Sequence, residues 1–365
     1  MVGHRLDESP PVDESPASKA LAGRTIGIAA ISLASGGAER QAALWAEAVA
    51  ACGAEVLVLS LERSAQRYPL PPGARLLTVG KTSRRDTLNG LRHMRKLAES
   101  CDVVAAFQPY MGLLCLASGA RPYIIVSGQD PRRFGDTSRM PPWALRAAFT
   151  RAAAITVPSE GLIECHRQMG FAPGGPWLHV PNIVDEAAFR DPAAEREGVL
   201  CVGRLFESKR PLLAMRAAIA AGQSITFLGD GPMREEIAEE ARRLGAGDRV
   251  HLSGFHPRPW EFYARHRVLL LTSTYETFAN VIVEGLAAGM PVVSVDCDFG
   301  PREILRGARF SHLVGDDADG IADAVRQVAE RPVTEEETRE CQAIAGRYRR
   351  SVLQPQIVAA LEAAL

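Results

Sequence analysis

From residue 25 onward, short apolar runs alternate with amphipathic stretches. Residues 25–33 form a continuous apolar run that predicts a buried strand. Residues 38–51 place apolar positions at helical spacing, and 55–61 predict a second strand. The strand signal returns at 102–107, 123–127 and 154–157, with helical segments between. Runs that are apolar on both faces suit a parallel sheet covered by helices on either side. A polar stretch carrying Pro and Asp, residues 181–197, separates this series from a second one. There the predicted strands are 199–203, 224–228, 250–252, 268–271 and 291–295, and the pattern turns helical from about 335.

Two series of this kind in 365 residues exceed what a single core supports, so two α/β domains are expected. The predicted divisions are a tail over 1–23, a Rossmann-like domain over 24–184, a second over 196–340 and a terminal helix over 341–365. In open α/β sheets ligands sit beyond the carboxyl ends of the strands, which places the site in the cleft between the domains. Composition changes this picture little. A net charge of -1 supplies no field for a nucleic acid. The tail is rich in Pro, Asp, Glu and Ser, which predicts disorder. It lacks the basic start and apolar core of a signal peptide. No segment approaches the ~20 apolar residues of a membrane span. The seven cysteines are scattered without CxxC spacing, so neither zinc nor a redox dithiol is indicated, and a reducing cytoplasm fits.

The densest motif runs from Tyr275 to Gly285, where Glu276 and Glu284 are separated by seven residues behind a predicted buried strand. Glu276 is expected in the loop entering a helix and Glu284 two turns along it, ~12 Å apart at 1.5 Å per residue. That span suits one carboxylate on a sugar and the other on a ribose, with a diphosphate between them. Backbone N–H groups at Thr277, Phe278 and Asn280 would point at the diphosphate, aided by the helix dipole. Two glutamates on an ordinary surface helix would face water, but residues 279–290 are mostly apolar, and buried carboxylates need a reason.

A second motif follows the first strand of the second series: Val202-Gly203-Arg204-Leu205, then Lys209. Two cations at a strand's end are often plain solvated surface. Beside the paired glutamates they are candidates to stabilise a departing nucleoside diphosphate in place of a divalent metal. The third motif, Gly36-Gly37-Ala38-Glu39-Arg40 behind Ser35, lies between the first strand and the first helix. Its glycines let backbone approach a phosphate. The spacing is not G-x-G-x-x-G, so a dinucleotide fingerprint is absent.

Taken together, these motifs make the chain resemble glycosyltransferase family 4, retaining enzymes of the GT-B fold. Further stretches in the family's order are Pro181-Asn182-Ile183-Val184-Asp185, Gly229-Asp230-Gly231-Pro232, Gly289-Met290-Pro291-Val292-Val293 and Phe299-Gly300-Pro301-Arg302-Glu303-Ile304. The resemblance implies an acceptor domain followed by a donor domain, with a terminal helix crossing back to the first. It implies that Arg204 and Lys209 hold the donor diphosphate, with Gly36 and Gly37 approaching it. Glu284 would bind ribose, and Glu276 the transferred sugar, helped by Thr277 and Phe278. A UDP-sugar is the expected donor, its base near Phe255. The acceptor stays open among a glycan, a lipid-linked glycan and a small secondary metabolite such as an aminocyclitol. A sugar-nucleotide epimerase and a silent nucleotide-sugar-binding protein remain the alternatives.

Many relatives carry a histidine where this sequence reads Ser127-Gly128-Gln129-Asp130, which makes Gln129 or Asp130 a candidate for donor or acceptor contact. Asp296-Cys297-Asp298 mimics a metal-binding DxD but follows a late strand of the second series. None of the histidines has metal-ligand spacing or stands out as a general base. Lys81, Arg84, Arg85, Arg92, His93, Arg95 and Lys96 form a basic patch, and Trp143 follows Met140-Pro141-Pro142. Both are candidates for peripheral membrane contact. With two cations in place of a metal, transfer activity is expected to persist in excess EDTA. Complete loss that manganese restores would refute the metal-free expectation.

Overall fold

In the computed structural model, residues 19–34, 36–63, 68–80, 86–134, 141–193, 195–256 and 259–365 are described. Most of the expected tail lies outside them. Its end does not behave as tail: Leu21 is 1% exposed in the first core, and its N–H donates to the Cys52 carbonyl at 3.0 Å.

The apolar runs of the first half become parallel strands β1 (Thr25–Ala30), β2 (Glu55–Ser60), β4 (Val103–Phe107), β5 (Tyr123–Val126) and β6 (Ala154–Val157). Two strands that the pattern did not predict, β3 (Arg75–Thr78) and β7 (Trp177–His179), complete the sheet order β3-β2-β1-β4-β5-β6-β7. Both are edges, β3 largely exposed and β7 half-exposed. An edge strand is not covered on both faces, so no continuous apolar run marks it. Helices α1 (Gly37–Ala51), α2 (Thr87–Glu99) and α3 (Pro109–Ser118) follow β1, β3 and β4.

The second sheet is likewise parallel. Its order is β10-β9-β8-β11-β13-β15, from β8 (Val199–Val202), β9 (Ile225–Leu228), β10 (Val250–Gly254), β11 (Val268–Leu271), β13 (Val292–Val295) and β15 (His312–Val314). A separate parallel pair joins β12 (Tyr275–Glu276) to β14 (Asp298–Phe299). Strand order reverses between β1 and β4 in one sheet and between β8 and β11 in the other. At such switch points the loops diverge and leave a crevice. Those loops carry the glycine, arginine and glutamate motifs.

The terminal helix expected over 341–365 proves to be parts of two helices. Glu335–Gly346 stays on the second domain, because the fully buried Glu337 carboxylate binds Arg267 at 2.7 Å and Arg331 at 2.8 Å. Only Arg350–Glu362 reaches the first domain. There Gln354 Nε2 donates to the α1 carbonyl of Ala48 at 2.8 Å, and Arg350 pairs with Glu47 at 3.3 Å. The crossing therefore falls at residues 347–349, where the Tyr348 carbonyl accepts from Val184 N–H at 2.9 Å. Among the described residues no helix is long and apolar enough to cross a membrane.

His166 lies wholly buried in the first domain, stacked on Phe149 at 5.6 Å and tilted against Trp177 at 5.1 Å. Its Nδ1 lies 2.8 Å from the Leu162 carbonyl and its Nε2 3.3 Å from Ser127 Oγ. A neutral ring that donates from Nδ1 and accepts at Nε2 satisfies both contacts. Burial pushes its pKa down to about 4. The unfolded ring takes up its proton near pH 6.5, so the stabilisation is complete above that pH and is lost as pH falls toward 4. Urea titrations should show stability dropping by up to roughly 3 kcal/mol across this window from this group alone. The drop should shrink in His166→Gln; an unchanged slope would count against the assignment.

Candidate functional site

Strand β8 is followed by Gly203, whose φ of 149° is open to glycine and strained for other residues. The turn it permits brings out Arg204, which is exposed and lies 5.0 Å above the Phe206 ring. One short helical turn later, Lys209 reaches across to β12. Its Nζ stands 2.5 Å from Glu276 Oε1, and Ser273 Oγ donates to the same oxygen at 2.7 Å. Gly203, Arg204, Lys209, Thr272 and Ser273 line a small pocket at this place. Glu276 is thus in a two-residue strand rather than a loop, held by pairing of β12 with β14.

The next helix, Asn280–Ala287, starts after Ala279 at φ 72°. Its first turn meets the first turn of α1 across the cleft. A Cβ on Gly37 would lie 3.1 Å from Asn280 Nδ2, and Asn182 Nδ2 donates to Asn280 Oδ1 at 2.9 Å. Gly36, the residue before α1, offers no side-chain cap. Two helix N-termini therefore converge from opposite domains, and both dipoles favour an anion there. Thr277 Oγ1 donates to the Gly128 carbonyl at 2.9 Å, a further cross-domain bond. The Phe278 ring packs in the core against Tyr348 at 5.3 Å, so only its backbone faces any ligand role.

Glu284 lies on the buried side of the same helix, 6% exposed. Tyr263 donates to its Oε2 at 2.7 Å, and Arg40 Nη1 from α1 lies 2.5 Å from its Oε1. In the sequence Arg40 is one residue of the glycine motif with no marked task, and no local signal sets Tyr263 apart. The same holds for Glu39. Its carboxylate folds back over Gly36, and burial is the main reason that its pKa is raised.

The two candidates for acceptor or sugar contact part company. Asp130 is buried, and Arg132 binds it through Nε at 3.0 Å and Nη2 at 2.7 Å and through the backbone N–H at 3.0 Å. Burial alone would raise its pKa, but the Arg132 hydrogen bonds outweigh it and hold the carboxyl below the usual value. Asp130 therefore caps the turn at Pro131–Arg133, with both oxygens bound by Arg132. Gln129 is half-buried in the loop that follows β5, with its Nε2 3.4 Å from Oε1 of Gln108, the residue just after β4. Gln108 has φ 79° and ψ 150°, a strained conformation for a non-glycine residue. Nothing in the sequence signalled it.

The remaining candidates are spread out. Phe255 is 56% exposed just past edge strand β10. Asp296 and Asp298 are engaged by different arginines, Arg302 at 2.7 Å and Arg132 at 2.7 Å. Among the described residues no group of three or more His, Cys, Asp or Glu is arranged to hold a metal. Of the basic patch, Arg92, His93, Arg95 and Lys96 lie on α2 away from its buried face of Gly90, Met94 and Leu97. Lys81, Arg84 and Arg85 lie outside the described residues, as do Ser35 and Met140. Trp143 is 71% exposed.

Two family models match successive parts of the chain, meeting between the two sheets. Residues 36–182 match the glycosyl transferase 4-like domain, and 185–347 match glycosyl transferases group 1. A Campylobacter jejuni enzyme is 30% identical over 133 residues, 36% of each chain. It is named N-acetylgalactosamine-N,N'-diacetylbacillosaminyl-diphospho-undecaprenol 4-alpha-N-acetylgalactosaminyltransferase. The Escherichia coli lipopolysaccharide 1,6-galactosyltransferase is 36% identical over 120 residues, 31% of this chain and 33% of that one. The match thus spans about a third of the length of these curated relatives. Among solved structures, Anabaena HepE in complex with UDP and glucose superposes with a TM-score of 0.77 at 19% identity. The match covers 93% of this chain and 99% of that one, and it shows a shared GT-B fold.

The geometry separates Gln129 from Asp130 experimentally. Asp130→Ala should cost roughly 1–3 kcal/mol of stability, since it uncaps a turn and removes the buried carboxylate that fixes Arg132, which keeps its pair with Asp298. Gln129→Ala should leave the melting temperature within about a degree, as surface-type substitutions do, while lowering transfer several-fold. Equal thermal losses in both variants would contradict this division.

Proposed function

This chain belongs to the group 1 glycosyl transferases, with a 4-like N-terminal domain, and from that premise we propose that it transfers a sugar from a nucleoside diphosphate sugar to an acceptor hydroxyl. The observation that carries the reading is the line of groups across the cleft. Glu276 with Lys209 stands at one end, Glu284 at the other, and two helix N-termini meet between them. A sugar, a diphosphate and a ribose follow one another in the same order. A UDP-sugar is the proposed donor, supported by UDP in a solved structure of the same fold. A glycan or lipid-linked glycan is the proposed acceptor, supported by the names of the curated relatives. The exposed basic face of α2 and exposed Trp143 support a peripheral contact with the membrane that would carry such an acceptor.

In this reading the bond between the anomeric carbon and the diphosphate oxygen breaks, and its electron pair passes to that oxygen. Arg204, Lys209 and the facing backbone N–H groups stabilise the charge that develops there, without a metal. The acceptor oxygen bonds to the same face of the anomeric carbon, and its proton passes to the departing diphosphate. The configuration is retained. Glu276 orients the sugar hydroxyls, and Lys209 stands between it and the phosphate. The cross-domain contacts exclude water that would otherwise hydrolyse the donor.

A thermal-shift panel of uridine, guanosine, adenosine and thymidine diphosphates tests the donor site. UDP at ~100 times its dissociation constant should stabilise the protein by ~2.7 kcal/mol. Lys209→Ala should lower kcat by about 100- to 1,000-fold, the scale for loss of one leaving-group stabiliser. No shift with any nucleotide would defeat the reading. An altered sugar still attached to its nucleotide would identify an epimerase instead.

A further inference from the structure

The Glu284 carboxylate is held by both domains at once. Tyr263, from the helix Trp260–Arg265 of its own domain, donates to Oε2 at 2.7 Å. Arg40, from the first turn of α1, approaches Oε1 at 2.5 Å. The same guanidinium lies 3.3 Å from Asp185 Oδ2 and 4.9 Å above the Trp260 ring. Its side chain is 17% exposed and that of Glu284 is 8% exposed, so this is a largely desolvated pair. Burial works against the Arg40 charge, and the Glu284 and Asp185 carboxylates outweigh it to keep the group charged. Such a pair needs good geometry to persist, and removing one partner leaves the other charge stranded.

We propose that Arg40 is a positioning residue for nucleotide recognition: it aims Glu284 at the ribose and makes that recognition depend on the first domain. The proposal rests on the reading of Glu284 as the ribose-binding carboxylate. A carboxylate has about four acceptor positions, so with one donor on each oxygen Glu284 can still take two hydroxyls. Its terminal torsion is intrinsically broad, and only fixed donors on both oxygens hold one plane. Tyr263 fixes a single oxygen. Arg40 supplies the second constraint, and because it stands on α1 beside Gly36 and Gly37, ribose and diphosphate are read by one turn of the first domain. Lysine is no equivalent. A point charge cannot bind Glu284 and Asp185 together while lying flat over Trp260.

The test is calorimetric titration of the full chain with UDP and with 2′,3′-dideoxy-UDP. The wild type should prefer UDP. Arg40→Ala should weaken UDP by about 30-fold or more, the lower end of the scale for truncating one partner of a buried pair, and leave dideoxy-UDP within about two-fold. Arg40→Lys, which keeps the charge and most of the packing, should show the same selective loss in milder form if the alanine variant folds poorly. In a Glu284→Gln background, Arg40→Ala should change UDP affinity little. Equal weakening of both nucleotides, or no weakening of either, would overturn the role of Arg40. A wild type that binds both equally would remove the ribose reading and this proposal with it. Failure of the wild type to bind any nucleoside diphosphate would defeat the glycosyltransferase reading itself.

Discussion

Burying a carboxylate on an apolar helix is costly without partners, and among the described residues the second domain gives the Glu284 side chain only the Tyr263 hydroxyl. The counter-charge comes from Arg40 on the other domain, and the arrangement of the cleft follows from that requirement. For Arg40 to reach, the first turn of α1 must lie against the first turn of the Asn280–Ala287 helix. The remaining cross-domain contacts are compatible with this one approach. Asn182 meets Asn280, Thr277 meets Gly128, and Arg132 spans from Asp130 to Asp298. At the far side the Glu303 carboxylate accepts from the N–H groups of Glu160 and Gly161, both at 2.9 Å, and so caps a first-domain helix from the second domain. The final helix on α1 anchors the same helix from behind.

The site carries its charges already paired. Lys209 is bound to Glu276, Arg40 to Glu284, and Arg204 stands exposed between the domains' loops. Paired groups keep their orientation in the absence of ligand, so little reorganisation is left for the moment of reaction. The arrangement also separates tasks. Hydroxyl-reading groups are the carboxylates, while the anion-reading groups are backbone N–H donors and cations. Asp130 shows the opposite case. A carboxylate tied to its own turn by several Arg132 bonds serves the fold.

Much of this was legible in the chain itself. Central strands declare themselves because both their faces are covered and every residue must be apolar. Glu276 and Glu284 stand out because carboxylates interrupt an apolar stretch, and Arg204 and Lys209 because they follow a strand end. Those signals are local. Edge strands β3, β7 and β15 were missed because one uncovered side releases the pattern. His166 resembled any other histidine until an aromatic cluster closed around it. Gln108 is marked only by its backbone angles, which no composition or spacing encodes.

What the sequence by itself determined, then, is the two-domain parallel architecture, the loops that carry chemistry and the carboxylates that require a purpose. Periodicity and burial cost act over a few residues and can be read in order. Tertiary structure alone decided which charges meet. Arg40 and Glu284 are 244 positions apart, and Asp130 and Asp298 share Arg132 from different domains. It also decided where the chain returns to the first domain, because a buried Glu337 holds the preceding helix back. Ion pairs depend on distance in space and on the removal of water, and neither exists until both sheets have formed and their carboxyl ends face each other.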